Sequence, residues 1–216
     1  MTITLDHIVP TPLRGKLAAR PSTVWNKHVL LTPGQWVKVT APSGTGKTTL
    51  MHLLWQLRTD YQGQLLYDGT NAGAFKPPAL AQLRQTQLSV VFQDLRLFGQ
   101  LTARENIELK RVMHTPAYCT PADVDRMAEA LGIAHILQQK ASICSYGERQ
   151  RIAIVRALMQ PFNWLLMDEP FSHLDQANIA RAASLIAQEC QRRGAGMLLA
   201  DLEDDTHFAY HQHLQL

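Results

Sequence analysis

No stretch of this chain approaches the roughly 20 consecutive apolar residues that a membrane-crossing helix needs. That holds although 46% of its 216 residues are hydrophobic, so the composition is that of an ordinary soluble globular protein. Cysteine is scarce. The three present, Cys119, Cys144 and Cys190, are scattered, odd in number and without metal-ligand spacing, and are expected to be reduced cytosolic thiols. Charge of one sign is also lacking: the net value of +3 comes without the basic clustering that nucleic-acid binding requires. Met1 to Pro10 has no signal-peptide pattern, and there is no internal repeat or low-complexity segment. The length fits one large domain with room for an inserted subdomain.

What is present centres on Ala41-Pro42-Ser43-Gly44-Thr45-Gly46-Lys47-Thr48-Thr49. Before it, Gln35 to Thr40 alternates as a strand does, with Trp36, Val37 and Val39 apolar and Lys38 polar. After it, Leu50 to Leu57 is apolar and free of glycine and proline, as a helix would be. Strand, glycine-rich loop, lysine plus hydroxyl, then helix is the context of a phosphate-binding loop. Glycines turn backbone N–H groups toward phosphate oxygens, and the helix N-terminus adds positive potential. Lys47 supplies a point charge to the β- and γ-phosphates, and the Thr48 hydroxyl can ligate Mg²⁺. Ala41 stands where the pattern has its first glycine, and alanine adopts positive φ less freely.

In chain order, Thr2 to Val9 reads as an edge strand ended by Pro10-Thr11-Pro12, and Leu13 to Ser22 as a loop. Val24 to Leu31 is expected as a second strand, Gln62 to Tyr67 as another, Thr70 to Pro78 as loop and Ala79 to Gln85 as a short helix. Leu88 to Phe92 is a continuous apolar run, suited to a buried parallel strand. From Leu95 to about Ser142 the period becomes helical, with helices over Ala103 to Met113 and Pro121 to Leu131. Gly147 to Met159 and Asn178 to Arg192 read as helices. Trp164 to Met167 and Gly196 to Ala200 read as strands, and Phe208 to Leu216 alternates weakly. The sum is an α/β core with a helical insertion.

Four further segments follow the loop: Val90-Val91-Phe92-Gln93-Asp94, Cys144-Ser145-Tyr146-Gly147-Glu148-Arg149-Gln150-Arg151, Leu165-Leu166-Met167-Asp168-Glu169-Pro170 and Ser172-His173-Leu174-Asp175. In this order they resemble the nucleotide-binding subunit of ATP-binding-cassette (ABC) transporters, from about Val24 to Leu202. The resemblance implies a P-loop NTPase core of the ABC ATPase type, with an N-terminal antiparallel β-part and an inserted α-helical signature subdomain. It implies one ABC ATPase domain over 1–216, core at 1–94 and 147–216, helical subdomain at about 95–146. Asp168 would hold Mg²⁺, usually through water, and Glu169 would be the general base. Gln93 would reach Mg²⁺ and the attacking water, completing with Lys47 and Glu169 the catalytic set.

The phosphate loop, Ser43 to Thr49, would bind ATP. Ser145, Gly147, Glu148 and Asp175 would contact the nucleotide of an opposite subunit or couple the two sites. Within the family's Leu-Ser-Gly-Gly-Gln signature, Cys144 replaces Leu, Tyr146 the first Gly and Glu148 the Gln. Tyr146 would have to point away from the phosphate, and positive φ there would be strained. Asp201 occupies the place of the family's γ-phosphate-contacting His, where an anion is repulsive. Asp201 would turn away, or hydrolysis would be slow, or His207 would enter from the next turn. Trp25 is the candidate for adenine stacking, or else it is core. His173, like His207, His211 and His213 on a terminal strand, reads as solvated rather than metal-binding.

The implied function is ATP binding and hydrolysis by a head-to-tail dimer with ATP and Mg²⁺, powering an integral membrane permease subunit. The chain would be cytoplasmic, peripheral on the inner face of the membrane, with no nucleic acid and no metal beyond Mg²⁺. Val91 to Phe98 with Leu101 to Asn106 is similar to the lipoprotein-releasing, cell-division and macrolide-efflux branch. In that branch the membrane partner often transmits force to the periplasm. The alternatives are a nucleotide-gated regulatory module with little turnover, motivated by Asp201 and Tyr146, and a P-loop kinase, which leaves the signature and the Ser172–Asp175 loop without a role.

Overall fold

The computed structural model describes residues 1–17, 21–113 and 115–216. In chain order its elements begin with β1 (Ile3–Pro10), a helical turn α1 (Arg14–Leu17), β2 (His28–Leu31), β3 (Trp36–Thr40) and α2 (Lys47–Leu54). Next come β4 (Tyr61–Tyr67), β5 (Thr70–Asn71), α3 (Pro77–Thr86) and β6 (Leu88–Val91). The helices α4 (Ala103–Arg111), α5 (Pro121–Ala130) and α6 (Tyr146–Leu158) follow. The chain then runs through β7 (Trp164–Asp168), α7 (Gln176–Arg193), β8 (Gly196–Asp201) and β9 (Gln212–Gln215).

Among the described residues the strands form two sheets. A four-stranded antiparallel sheet has the order β2-β1-β4-β5, and a five-stranded parallel sheet the order β6-β7-β8-β3-β9. Every residue of β7 is buried and β8 is buried up to Asp201, because a parallel sheet is covered on both faces and its strands read as unbroken apolar runs. The carboxyl ends of β3, β6, β7 and β8 therefore deliver Thr40, Val91, Asp168 and Asp201 to one edge of the core, where the phosphate loop begins.

The first turns of α4, α5 and α6 each carry a reciprocal capping box: Thr102 with Glu105, Thr120 with Asp123, Ser145 with Glu148. Helix α6 packs on α4, α5 and α7 through Ile107, Val124, Met127, Ile152 and Val155. Buried Asn106 accepts from the N–H of Phe98 and donates to the carbonyls of Phe98, Leu101 and Thr102, which ties the segment after β6 to α4.

Several sequence expectations change. The first strand is interior, paired on both sides, and Pro10 is its last residue. It tolerates a bulge: His7 has φ +50°, and a Cβ on Gly63 opposite would lie 2.4 Å from the His7 carbonyl oxygen, so glycine is required there. The second strand starts only at His28, because the Ser22 hydroxyl accepts from the N–H groups of Val24 and Trp25 and folds them into a turn. The segment read as a loop from Leu13 to Ser22 contains α1, and its residues 18–20 lie outside the described ones. Helix α2 starts at Lys47 and ends at Leu54, before Gln56 at φ +57°. Pro77 starts α3 inside the expected loop. Of the late histidines only His213 lies on β9. Lys38, the polar member of an alternating strand, is fully buried and paired with Asp205, which also accepts from the Tyr210 hydroxyl at 3.0 Å. All three cysteines are buried and free.

Candidate nucleotide-binding site

The loop after β3 closes a cleft of about 300 Å³ lined by Ser43, Gly44, Gly46, Lys47, Thr48 and Thr49, with Leu13, Gln93 and Glu169 opposite. Positive φ occurs at Gly44 (+76°) and Gly46 (+116°). Ala41 is not among the positive-φ residues; it is fully buried, so alanine costs this position nothing in backbone strain. Gly46 caps α2, and a Cβ there would sit 2.7 Å from Leu13 Cδ1 and 3.1 Å from Trp25 Cζ2. The Thr45 hydroxyl is used within the loop, donating to the Pro42 carbonyl at 2.6 Å. Lys47, 5% exposed, donates to the carbonyls of Ala41 (2.8 Å) and Pro42 (3.4 Å), and its ammonium lies 3.4 Å from Glu169 Oε1.

The Thr48 hydroxyl joins the loop to two strand ends, 2.8 Å from Asp168 Oδ2 and 3.4 Å from Gln93 Oε1. Asp168 is buried, and its Oδ1 has no hydrogen-bond partner. Burial pushes its carboxyl up to about 6, the Thr48 hydrogen bond opposes this, and the neighbouring Glu169 adds to it. A buried carboxylate with an orphaned oxygen, beside a hydroxyl and a carboxamide oxygen, is a hard all-oxygen donor set. It fits Mg²⁺, which takes one or two carboxylates plus phosphate oxygens rather than a full protein cage. No group of three or more His, Cys, Asp or Glu that could hold another metal occurs among the described residues.

Glu169 is held at φ +49°, a conformation rare for a non-glycine residue and frequent at functional sites. Its backbone is pinned from two sides: its N–H donates to Ala200 (2.9 Å), and its carbonyl accepts from Gln150 Nε2 (3.1 Å). Its Oε2 accepts from Gln93 Nε2 at 3.2 Å.

Ser145, Gly147, Glu148 and Asp175 do not line this cleft. Ser145 is the N-cap of α6, its oxygen accepting from the Glu148 N–H, while the Glu148 carboxylate accepts from the Ser145 N–H at 2.8 Å. The backbone hydrogen bond from Ser145 holds the Glu148 carboxyl below its usual range. Glu148 is thus a capping residue, and the Ser145 O–H is left as a donor. Tyr146 is the first residue of α6, without positive φ, so the anticipated strain is absent. Asp175 caps α7, accepting from the Asn178 N–H at 2.8 Å.

The remaining sequence candidates separate. Trp25 is 3% exposed, its indole N–H reaching the Thr45 carbonyl at 3.4 Å, so it is core beneath the loop and not a stacking surface. Asp201 is turned to its own loop, its Oδ1 accepting from the Leu202 N–H at 2.7 Å. His207 packs edge-on against Phe171 at 5.6 Å and does not line the cleft. His173 is exposed and lies against the Tyr146 ring. Sequence reasoning missed Leu13, the apolar wall of the cleft, and Gln150, which carries no motif signal of its own beyond lying two residues past Glu148.

Comparison with known proteins agrees with this geometry. Residues 26–172 match the family described as ABC transporter. An uncharacterized ABC transporter ATP-binding protein, YvcR of Bacillus subtilis, is 34% identical over 170 residues, covering 78% of this chain and 66% of that protein. The macrolide export ATP-binding/permease protein MacB of Marinobacter nauticus is 32% identical over 81% of this chain. Its Wolinella succinogenes counterpart is 34% identical over 83% of this chain. The chain spans only 27% and 28% of those two proteins. Among solved structures, a dimeric bacterial ABC transporter cassette superposes with TM-score 0.80 at 22% identity, over 93% of this chain and 88% of that one. A bacterial Atm1-family ABC exporter with ATP bound gives TM-score 0.73 at 26% identity, over 92% of this chain and 34% of that one. With the phosphate loop, the Asp168–Glu169 strand end and the Ser145 helix in one ABC-cassette fold, the chain belongs to the ABC transporter ATP-binding family.

Proposed function

We propose that this chain is the ATP-hydrolysing subunit of an ABC transporter complex, acting as a head-to-tail dimer on an integral membrane permease subunit at the inner face of the membrane. The carrying observation is the convergence of Lys47, Thr48, Gln93, Asp168 and Glu169 on one cleft through contacts of 2.8–3.4 Å. Lys47 leaves the loop carbonyls to pair with the β- and γ-phosphates. The loop N–H groups donate to phosphate oxygens. Bound Mg²⁺, held by Thr48, Gln93 and Asp168, would neutralise charge on the β- and γ-phosphates. Gln93 and Glu169 orient a water toward the γ-phosphorus. Glu169 accepts its proton as the new P–O bond forms and the bond to the ADP oxygen breaks, giving ADP and phosphate.

Ser145 and Gly147 at the start of α6 would face the γ-phosphate held by the second copy, with Glu148 shaping that turn and Asp175 at the dimer interface. The core at 1–94 and 147–216 and the helical part at about 95–146 would close together on ATP. No helix among the described residues is long and apolar enough to cross a membrane, which suits a peripheral subunit whose permease is a separate chain.

Steady-state Mg-ATP hydrolysis beside Lys47→Ala and Glu169→Gln tests the proposal: turnover in the wild type, lost in both variants, is expected. Wild-type turnover no faster than Glu169→Gln, with ATP still bound, would replace it with the second reading, a nucleotide-gated module. Asp201 favours that alternative, since a carboxylate whose oxygen serves the Leu202 N–H offers no donor to a phosphate.

A further inference from the structure

The first turn of α6 touches both loops that carry the catalytic side chains. The Tyr146 hydroxyl donates to the Gln93 carbonyl at 2.9 Å. The Tyr146 ring lies 4.1 Å from the His173 ring, centroid to centroid, with the Arg149 guanidinium 5.1 Å from its centre. His173 is in turn joined to the same helix, its N–H donating to Gln150 Oε1 at 3.3 Å, while Gln150 Nε2 donates to the Glu169 carbonyl. There is no slack between helix and loop: a Cβ on Gly147 would lie 3.0 Å from the His173 carbonyl oxygen.

Gln93 follows the end of β6, and its carboxamide reaches Thr48 on one side and Glu169 on the other. A side chain that must hold two partners at once depends on where its backbone sits. The backbone bond at Gln93 comes from a residue adjacent to Ser145. Glycine, the residue the resemblance leads one to expect at this place, has no atom that could make that bond.

We propose that Tyr146 is a positioning residue for Gln93. Its hydroxyl fixes the Gln93 backbone so that the carboxamide spans Thr48 and Glu169. Through the same bond, engagement of a second copy's nucleotide at Ser145 is passed to the hydrolytic site of the chain that owns Tyr146. This rests on the dimeric ATPase reading above, and the experiment separates the two.

Tyr146→Phe keeps the ring and its packing on His173 and removes only the hydroxyl. Hydrolysis is measured for the wild type, Tyr146→Phe, Gln93→Ala and the double variant, with amide hydrogen exchange followed over residues 92–98 and over the phosphate loop. Loss of one neutral hydrogen bond corresponds to about fivefold. Tyr146→Phe should therefore lower kcat about fivefold with KM changed by less than about twofold, and should cost nothing further once Gln93 is alanine. Exchange should quicken over residues 92–98 and stay unchanged in the phosphate loop. An unchanged kcat in an active protein, or an equal loss in the Gln93→Ala background, would overturn the proposal. A wild type without Lys47-dependent turnover removes the ATPase reading, and the exchange result then decides the tether: unchanged exchange over 92–98 rejects it.

Discussion

Replacing Asp168 by asparagine converts the strongest electrostatic feature of the site into a stability measurement. Asp168 is 1% exposed, its Oδ1 is unpartnered, and burial raises its carboxyl from 3.8 to about 6. Between those two values the native protein keeps a proton that the unfolded chain has released. Native stability from this group is therefore full below 3.8 and is lost as pH rises through about 6. A displacement of that size corresponds to about 3 kcal/mol in total, of which about 2–3 kcal/mol falls between about pH 4 and pH 7. Asparagine does not titrate; its buried amide N–H carries a penalty of about 1–3 kcal/mol that does not vary with pH. The unfolding free energy of Asp168→Asn minus that of the wild type should climb by about 2–3 kcal/mol from about pH 4 to about pH 7. Urea unfolding of both proteins, free of nucleotide and with a chelator present, measures this difference directly. A difference that stays flat within about 0.5 kcal/mol across that range would refute the argument that Asp168 is a desolvated charge waiting for a cation. Added Mg-ATP should reverse the order, since only the wild type gains the full binding stabilisation.

Three further outcomes follow from the geometry. Gly46→Ala, at φ +116° and 2.7 Å from Leu13, should abolish nucleotide binding and destabilise the fold by about 1–3 kcal/mol, read by thermal unfolding and a fluorescent ATP analogue. Leu13→Ala should weaken ATP binding severalfold while leaving tripolyphosphate binding unchanged in calorimetry, because Leu13 walls the cleft without contributing a charge or hydrogen bond. Charge reversal at Arg96, which lies 3.9 Å from the Phe92 ring centre beside His52, should weaken co-purification with a permease subunit and leave ATP binding intact. The same change at Glu105 is a poorer probe, because Glu105 caps α4 and its loss costs about 1 kcal/mol of helix stability.

The sequence by itself determined whatever is dictated locally. The run from Ala41 to Thr49 specified its own loop, because glycine at positive φ, a helix start and a lysine are properties of neighbouring residues. The apolar runs of β6, β7 and β8 announced buried parallel strands, and the capping pairs Thr120–Asp123 and Ser145–Glu148 mark where helices begin. Only the tertiary structure decided what depends on residues far apart in the chain. Lys38 alternates like a surface residue, yet it is buried because β8 and β9 flank its strand and Asp205 meets its charge. Trp25 has the composition of a stacking platform, but the Ser22 turn folds it beneath the loop. Ala41 departs from the glycine pattern without consequence, since the fold leaves it out of the positive-φ region. Tyr146 looks like damage to a glycine-rich signature until its hydroxyl is found on the Gln93 carbonyl, 53 residues away in sequence. Local patterns encode backbone conformation; the environment of each side chain is set by which distant strands and helices arrive beside it.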